Sequence, residues 1–442
     1  MILRFRLPLV VLILLLVAAT VATAEDTSNL PPRISGNLSL ADAVSTALKN
    51  SPMAQAAGYQ TQAAQARIGM ARAMTRPQLA GTVFGGNSTM GDIITSPPGV
   101  MPSSVFTVPD RTAATGQVGL MVPLYTGGRL TGAVKSTEAL SAASASDRAS
   151  IERNVALEVK ATYHRTLLAQ ATVDVYSNLV REEQERVRIA ELTFGEGKIA
   201  KYDLLRNQAG LAESRQQLAN AQRDAATATV DLKAAMGVSQ DSDVTLTDKL
   251  TYVPVSDTLD TYSALAMKNR PELAAARSRI SSAESNVSVA KSAYKSQVYG
   301  NAMQGLSVDS AGTESGFTIG VTIGLPILDG GLRRAAVNEA QAMLGVMRQE
   351  EKQALLAVQQ DVNTVWAELQ AADTNVKLSE AAVAQADEDY RVVRLRYEAG
   401  KSINVEVLDA LAALVGAQNN RLLALYEHNV ARDSLARAIG EL

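Results

Sequence analysis

Apolar residues recur every seven positions through a long segment in the second half of the chain. One row runs from Leu355 to Tyr397, and a second row lies three residues after it, from Val358 to Val393. Six heptads without a proline predict a helix that packs in a left-handed supercoil. Over 332–397 this helix is about 100 Å long, at 1.5 Å per residue.

A glycine follows the last heptad, and the helical pattern then resumes. Gly400 marks a helical stop, because glycine commonly ends helices in a left-handed conformation. Apolar residues at helical spacing continue to about 439, so the sequence predicts a helical hairpin over 332–439. An equivalent hairpin is predicted over 129–237, with its turn at Gly197.

A different period, of two residues, precedes each helical hairpin. In FTIGVTIGL, apolar residues alternate with threonine and glycine, which predicts a strand. The first half repeats this pattern, and each such strand has a less regular partner. The predicted strand hairpins are about 78–86 with 116–125, and about 297–305 with 317–328. Strands near ten residues have the length of a tilted membrane-spanning strand.

The two halves of the chain match each other. ALKNSP at 47–52 recurs as AMKNRP at 266–271, and VPLYTGGRL at 122–130 recurs as LPILDGGLR at 325–333. The predicted fold is therefore mainly α with membrane β: a duplicated helix, β-hairpin and long helical hairpin. Each unit opens with a helical segment, about 40–75 or 260–294.

These patterns divide the chain into five consecutive parts, one of which contains a long loop. The predicted parts are a signal peptide (1–24), an N-terminal segment (25–37), repeat 1 (38–237), the interrepeat segment (238–259), repeat 2 (260–440) and, inside repeat 1, an exposed loop at about 87–115.

The first 24 residues have the features of a cleaved secretory signal. Arg4 and Arg6 precede an apolar run, and Ala22-Thr23-Ala24 provides the small residues that a signal peptidase needs. A transmembrane anchor is the alternative, because about 18 apolar residues nearly span a bilayer. No cysteine follows the cleavage site, so an acyl anchor on an N-terminal cysteine is not expected.

Composition narrows the possible functions. Only 4% of residues are aromatic, which suits long helices packed through small side chains, and the net charge of −3 gives no sign of nucleic-acid binding. Cysteine is absent, which excludes disulfides and thiolate chemistry. The two histidines, His164 and His428, lie outside any HExxH motif. The sequence therefore predicts no enzyme.

One tripeptide imitates a nucleotide-binding loop. Gly400-Lys401-Ser402 resembles the end of a P-loop, but Leu395 occupies the position of the required first glycine. The segment also follows a six-heptad helix instead of a strand. We therefore predict no bound nucleotide and no cofactor.

Four strands in one chain cannot close a useful barrel, and open sheet edges are not tolerated in lipid. Three chains would supply twelve strands, within the range of known barrels. Helices of about 100 Å would then project from the membrane as a second, coaxial tube. These arguments favour a trimeric duct.

Two motifs carry a family resemblance. FGEGKIAKYDLL at 194–205 and YEAGKSINVEVLDA at 397–410, set in this duplicated order, resemble the hairpin tips of the TolC-like outer-membrane efflux proteins, or outer membrane factors. The resemblance covers about 38–440. It implies a collar around the middle of the tube, and we expect the interrepeat, or equatorial, segment (238–259) to carry more of it because the second hairpin ends close to the last residue. It implies a homotrimer with a 12-stranded barrel in the outer membrane and an α-helical barrel in the periplasm. Such a trimer is the exit duct of a tripartite efflux or type I secretion system.

The resemblance also implies partners. A periplasmic adaptor, or membrane fusion protein, would link the duct to an inner-membrane pump of the RND, ABC or MFS type. Gly197 and Lys198 at one tip, and Gly400 and Lys401 at the other, would dock the adaptor. Outer-membrane lipid would surround the barrel.

The resemblance assigns a gate to the residues beside the second tip. Glu406 and Asp409 lie three residues apart, so they share a helix face, and three copies would ring a periplasmic aperture that cations can block. Tyr397 would contact the neighbouring hairpin near Asp203. Two alternatives stay open: acids also suit the first turn of any helix, and Tyr397 also fits as the last heptad residue.

One functional alternative also shares the helical hairpins. A periplasmic coiled-coil tether or adaptor without its own barrel would need them too. It would leave the two strand hairpins and the duplication unexplained.

Overall fold

The computed structural model describes residues 31–87, 112–255, 257–309 and 312–441. The predicted signal peptide and most of the predicted 87–115 loop lie outside these residues. The described part is mainly helical, as predicted. Its first half contains β1 (Ser35–Leu38), α1 (Leu40–Asn50), α2 (Pro52–Ala73), β2 (Gln78–Asn87), β3 (Thr112–Tyr125), α3 (Arg129–Gly195) and α4 (Lys201–Ala235).

The second half has the same order of elements. Two short helices lead into a strand hairpin, which is followed by a 67-residue helix and a shorter return helix, as in the first half. The elements are β4 (Asp243–Leu246), α5 (Leu259–Asn269), α6 (Pro271–Ser292), β5 (Gln297–Asp309), β6 (Gly312–Gly324), α7 (Leu332–Glu398) and α8 (Asn404–Ile439).

Proline divides the opening helical segment of each half. The sequence predicts one segment at 40–75 and another at 260–294, but each consists of two helices. The break comes before Pro52 and Pro271, which occupy the first turn of α2 and α6. Proline has no N–H to continue the preceding helix, and it forces the residue before it into an extended conformation. Ser51 has that conformation, with φ −61° and ψ 124°.

The two strand hairpins join into one antiparallel sheet in the order β2-β3-β5-β6. Within this sheet the two halves meet at the β3–β5 ladder, which shifts register between Pro123 and Tyr125. Strands β2 and β6 have no partner on their outer sides among the described residues. Strand β6 ends at Gly324, four residues before the predicted 328, and the following Pro326 has no N–H to extend a ladder.

One face of this sheet carries large apolar side chains that are exposed in the single chain. They alternate along the strands with small or polar residues of the opposite face, so the two faces differ sharply. The exposed apolar residues include Leu79, Val83, Val118, Leu120, Phe317, Ile319, Val321 and Ile323.

A second, two-stranded sheet was not expected from the sequence. Strand β1 pairs in parallel with β4 of the interrepeat segment, from Ser35–Asp243 to Leu38–Leu246. The Tyr163 hydroxyl lies 2.8 Å from a carboxylate oxygen of Asp248, close to this sheet. The sheet therefore attaches both the N-terminal and the interrepeat segment to α3.

The four long helices form a row in the order α4, α3, α8, α7, as judged from which helices pack together. The heptad rows of α7 lie on the side of the helix that packs against its neighbours. Their buried residues include Val358, Val362, Val365, Leu369, Ala372 and Val376. Helices α4 and α7 occupy the two ends of the row. In the described part of the chain, no helix combines the length and the apolarity required to cross a membrane.

Candidate functional site at the hairpin tips

Both helical hairpins turn through the same hydrogen-bonded motif. Gly197 and Gly400 have left-handed backbones, with φ of 72° and 70°. In the second tip the Lys401 N–H donates to the Arg396 carbonyl at 2.8 Å, and the Gly400 N–H donates to the Tyr397 carbonyl at 2.9 Å. These are the two bonds of a Schellman motif, and the first tip has the equivalent pair. The predicted glycine stops are therefore present.

The two tip lysines differ in whether they have an ion-pair partner. Lys198 pairs with Glu196 at 2.6 Å, and both side chains are well exposed. Lys401 is exposed and makes no ion pair within the described residues. Each tip thus presents an accessible cation next to a left-handed glycine.

The two predicted aperture acids lie on the exposed side of the first turns of α8. Val407 and Ala410, which alternate with them, are buried, so Glu406 and Asp409 project away from the hairpin core. The Ser402 hydroxyl donates a hydrogen bond to the Glu406 carboxylate. The serine that imitates a P-loop residue therefore connects the turn to the return helix.

Tyr397 and Asp203 are separated within one protomer. Tyr397 is half-buried against a cluster that includes Tyr390, Val407 and Leu411. Asp203 lies in the first turn of α4 and is partly exposed. No hydrogen bond joins Tyr397 to Asp203 in the part of the protomer that the structure describes. They belong to α7 and α4, the two outer helices of the row.

A cavity of about 510 Å³ lies between the two hairpins near the tips. Helix α3 forms its floor, and α4 and α8 form its walls. Asp409 and Arg206, which occupy matching positions in the two repeats, both line it, together with Glu183. Arg206 donates to the Tyr202 hydroxyl at 2.7 Å. The two repeats therefore present opposite charges to one groove.

Glu183 is a buried acid that the sequence patterns did not identify. It is 4% exposed, and burial raises the pKa of its carboxyl above the ordinary 4.5. A Cβ at Gly210 would lie 3.1 Å from its Oε2, so glycine makes room for it. An isolated glycine inside a helical pattern often marks such a close approach. Gly210 was thus the available sequence signal.

Polar contacts also join α3 to α8, the central pair of the row. Near the tip, Arg186 donates to the side-chain oxygen of Asn404 at 3.3 Å. Farther from the tip, the buried Asp433 accepts from His164 Nε2 at 2.9 Å and Lys160 Nζ at 3.0 Å. Burial raises the pKa of Asp433, but these two donors outweigh that effect and hold it below its ordinary value. The hairpins of one protomer are therefore linked along their length.

No metal centre is formed by one protomer in its described part. No three side chains of histidine, aspartate or glutamate there come together as a ligand group.

Comparison with known proteins agrees with this architecture. The family model described as outer membrane efflux protein matches residues 43–238 and 263–441. Outer membrane efflux protein BepC of Brucella suis is 28% identical over 270 residues, which are 59% of this chain and 57% of BepC. Protein CyaE of Bordetella pertussis is 25% identical over 92% of this chain and 85% of CyaE.

A solved structure shows the same fold. The outer membrane protein VceC of Vibrio cholerae superposes with a TM-score of 0.72 at 19% identity, covering 91% of this chain and 96% of VceC. The family resemblance and the outer-membrane location predicted from the sequence are confirmed. The chain belongs to the outer membrane efflux protein family.

Proposed function

We propose that three copies of this chain form a passive exit duct through the outer membrane and periplasm, as part of a tripartite efflux or type I secretion system. The observation that carries the proposal is a four-stranded sheet attached to helices of 67 residues. The sheet has one apolar face, and its two outer edges are unpaired among the described residues. This is the physical combination that a shared barrel with a helical extension requires.

The sheet supports the barrel. Its strands have 10 to 14 residues, enough to cross a bilayer when tilted. Lipid cannot satisfy the backbone groups on the open edges of β2 and β6. In a trimer, β6 of one chain pairs with β2 of the next, and the resulting twelve-stranded barrel presents its apolar face to lipid.

The long helices support the periplasmic tube. At 1.5 Å per residue, α3 and α7 each extend about 100 Å, and their tips are far from the sheet. The exposed tips, with Gly197, Lys198, Gly400 and Lys401, dock the periplasmic adaptor. An inner-membrane pump of the RND, ABC or MFS type supplies the energy.

The helix order supports a gate between protomers. Helices α4 and α7 end the row in each chain, so α7 of one protomer meets α4 of its neighbour around the ring. This contact brings Tyr397 near Asp203 of the neighbouring copy in the closed state. Glu406 and Asp409 of all three copies line the aperture, where like charges concentrate and polyvalent cations bind. Engagement of the adaptor and pump opens it.

The test is block of single-channel current in planar lipid bilayers by hexaamminecobalt(III) added on the tip side. Glu406→Gln with Asp409→Asn removes the carboxylates, so we expect block to weaken by at least tenfold. Glu427→Gln is the matched control, because Glu427 is an exposed acid on the same helix, about six turns away. It leaves block unchanged.

Two results would contradict the proposal at different levels. Block that is equally strong in the double variant would show that Glu406 and Asp409 lie away from the constriction. A purified protein that needs no detergent and conducts no current would exclude the duct itself.

A further inference from the structure

A second cavity, of about 910 Å³, lies where the sheet meets the long helices. Met121, Tyr299 and Thr322 line it from three neighbouring strands. Tyr299 is directly opposite Thr322 in the β5–β6 ladder, so their side chains share a face of the sheet. The adjacent Ile323 belongs to the apolar face on the other side. The cavity therefore opens on the face of the sheet opposite its exposed apolar side chains.

The charges around this cavity do not balance. Arg129, Lys295, Arg333 and Asp329 are its charged lining residues. Asp329 is fully engaged by Arg333: its Oδ2 accepts from the Arg333 side chain, and its carboxylate also accepts backbone N–H groups at the start of α7. Hydrogen bonds from Arg333 hold the pKa of Asp329 at about 2. The single acid is thus already neutralised by one cation.

The other two cations have no carboxylate partner among the described residues. Arg129 donates to the Tyr299 hydroxyl at 2.9 Å, and its Nε is buried without a hydrogen-bond acceptor. Lys295 is exposed and makes no ion pair there. A Cβ at Gly127 would lie 2.7 Å from the Lys295 Cβ, so glycine lets the lysine approach the start of α3. Two uncompensated positive charges therefore lie at one cavity.

Large apolar side chains complete the wall. Leu328 is 92% exposed and Leu332 72% exposed, and Met74 is 57% exposed. All three line the cavity. Covering exposed apolar surface with an apolar group lowers the free energy, because both surfaces leave water. The same cavity therefore offers cations for an anionic group and apolar surface for the remainder of a ligand.

We propose that this cavity is a binding site for organic anions that have an apolar body, such as aromatic sulfonates or carboxylates. The anionic group contacts Arg129 and Lys295, and the apolar body covers Leu328 and Leu332. The site rests on the proposed function for its position inside the duct, where it would hold amphiphilic anions on their way out.

Binding of naphthalene-1-sulfonate to the full-length protein in a non-ionic detergent tests the site, with isothermal titration calorimetry as the readout. Lys295→Gln removes an exposed, unpaired charge and does not disturb the fold. We expect it to weaken binding about tenfold, because the anion loses one charge-assisted hydrogen bond. Arg129→Gln weakens binding similarly, and Arg129→Lys retains most of it.

Two controls isolate the charge at the cavity. Lys291→Gln removes an exposed lysine one turn earlier on α6, outside the cavity, and leaves the affinity unchanged. The uncharged 1-naphthalenemethanol binds the wild type about tenfold more weakly than the sulfonate. Equal affinity for the two ligands, absence of binding, or identical affinities in Lys295→Gln and Lys291→Gln would each overturn the site.

Different results would contradict the proposed binding site and the proposed duct. The calorimetric measurement requires no conductance, so it decides the site even for a protein that forms no channel. Wild-type current that persists while the sulfonate fails to bind would retain the duct and reject the site.

Discussion

Asp433 provides a quantitative test of how the two hairpins of one protomer are held together. Asp433→Asn keeps the shape of the side chain but removes the charge that Lys160 and His164 share. The carboxylate is 4% exposed, and breaking a buried ion pair generally costs about 3–5 kcal/mol. The Lys160 side chain is 22% exposed, so water partly solvates it after the change. We therefore expect the lower end, about 3 kcal/mol.

The assay is urea unfolding at pH 7, followed by the helical circular dichroism at 222 nm of the protein in detergent. Asp231→Asn is the matched control, because Asp231 pairs with Arg165 between α3 and α4 at 3.3 Å, with both side chains about half exposed. An exposed pair contributes at most about 1 kcal/mol. Lys160→Met combined with Asp433→Asn completes a double-mutant cycle and isolates the coupling between the two charges.

The reasoning fails if Asp433→Asn loses no more free energy of unfolding than Asp231→Asn. That result would mean that the buried contact contributes no more than a surface pair. A coupling energy near zero in the cycle would instead assign the loss to His164 and not to Lys160.

Two further predictions concern backbone conformation and pH. Gly400→Ala lowers the free energy of unfolding by about 1–2 kcal/mol, which is the cost of a left-handed backbone at a residue other than glycine. No steric clash adds to this cost, because no atom lies within 4 Å of the added Cβ. Gly440→Ala costs more, because its Cβ would lie 2.8 Å from the Asn269 carbonyl oxygen; equal losses in urea unfolding would contradict this. Burial lowers the pKa of His428 below its ordinary 6.5. The unfolded chain then binds a proton that the folded protein does not, so the free energy of unfolding falls as pH drops from about 6.5 toward the folded-state pKa. His428→Leu removes this part of the pH dependence. If the free energy of unfolding varies with pH in the same way in the variant and the wild type, the assignment to His428 is wrong.

The long helices were predictable because their pattern is long and regular. Six heptads place Val362 and Leu369 in the same row, and both are almost completely buried. Over so many repeats only one period fits. With Gly400 as the stop, helix α7 ends at Glu398, one residue from the predicted 397. Strands β3 and β6 were predictable because apolar residues alternate regularly along part of each.

Short strands and buried polar contacts could not be predicted from the sequence patterns. Strands β1 and β4 have four residues each, too few to show a period, and they pair across more than 200 positions of the chain. The buried polar contacts of Asp433 and Glu183 depend on which helices become neighbours, and the heptads of one helix do not contain that information. The tip glycines were recognisable because their role is local to one turn.

The β3–β5 ladder, in the middle of the sheet, has a consequence for symmetry. It joins the strand hairpins of the two halves of the chain into one sheet. In the proposed trimer, six similar units surround the axis, but fusion in pairs makes only three of them equivalent. Matching positions can therefore diverge, as Arg206 and Asp409 have. Six identical units would place the same charge at all six positions of a ring. With only three equivalent pairs, positive and negative positions can alternate around the ring.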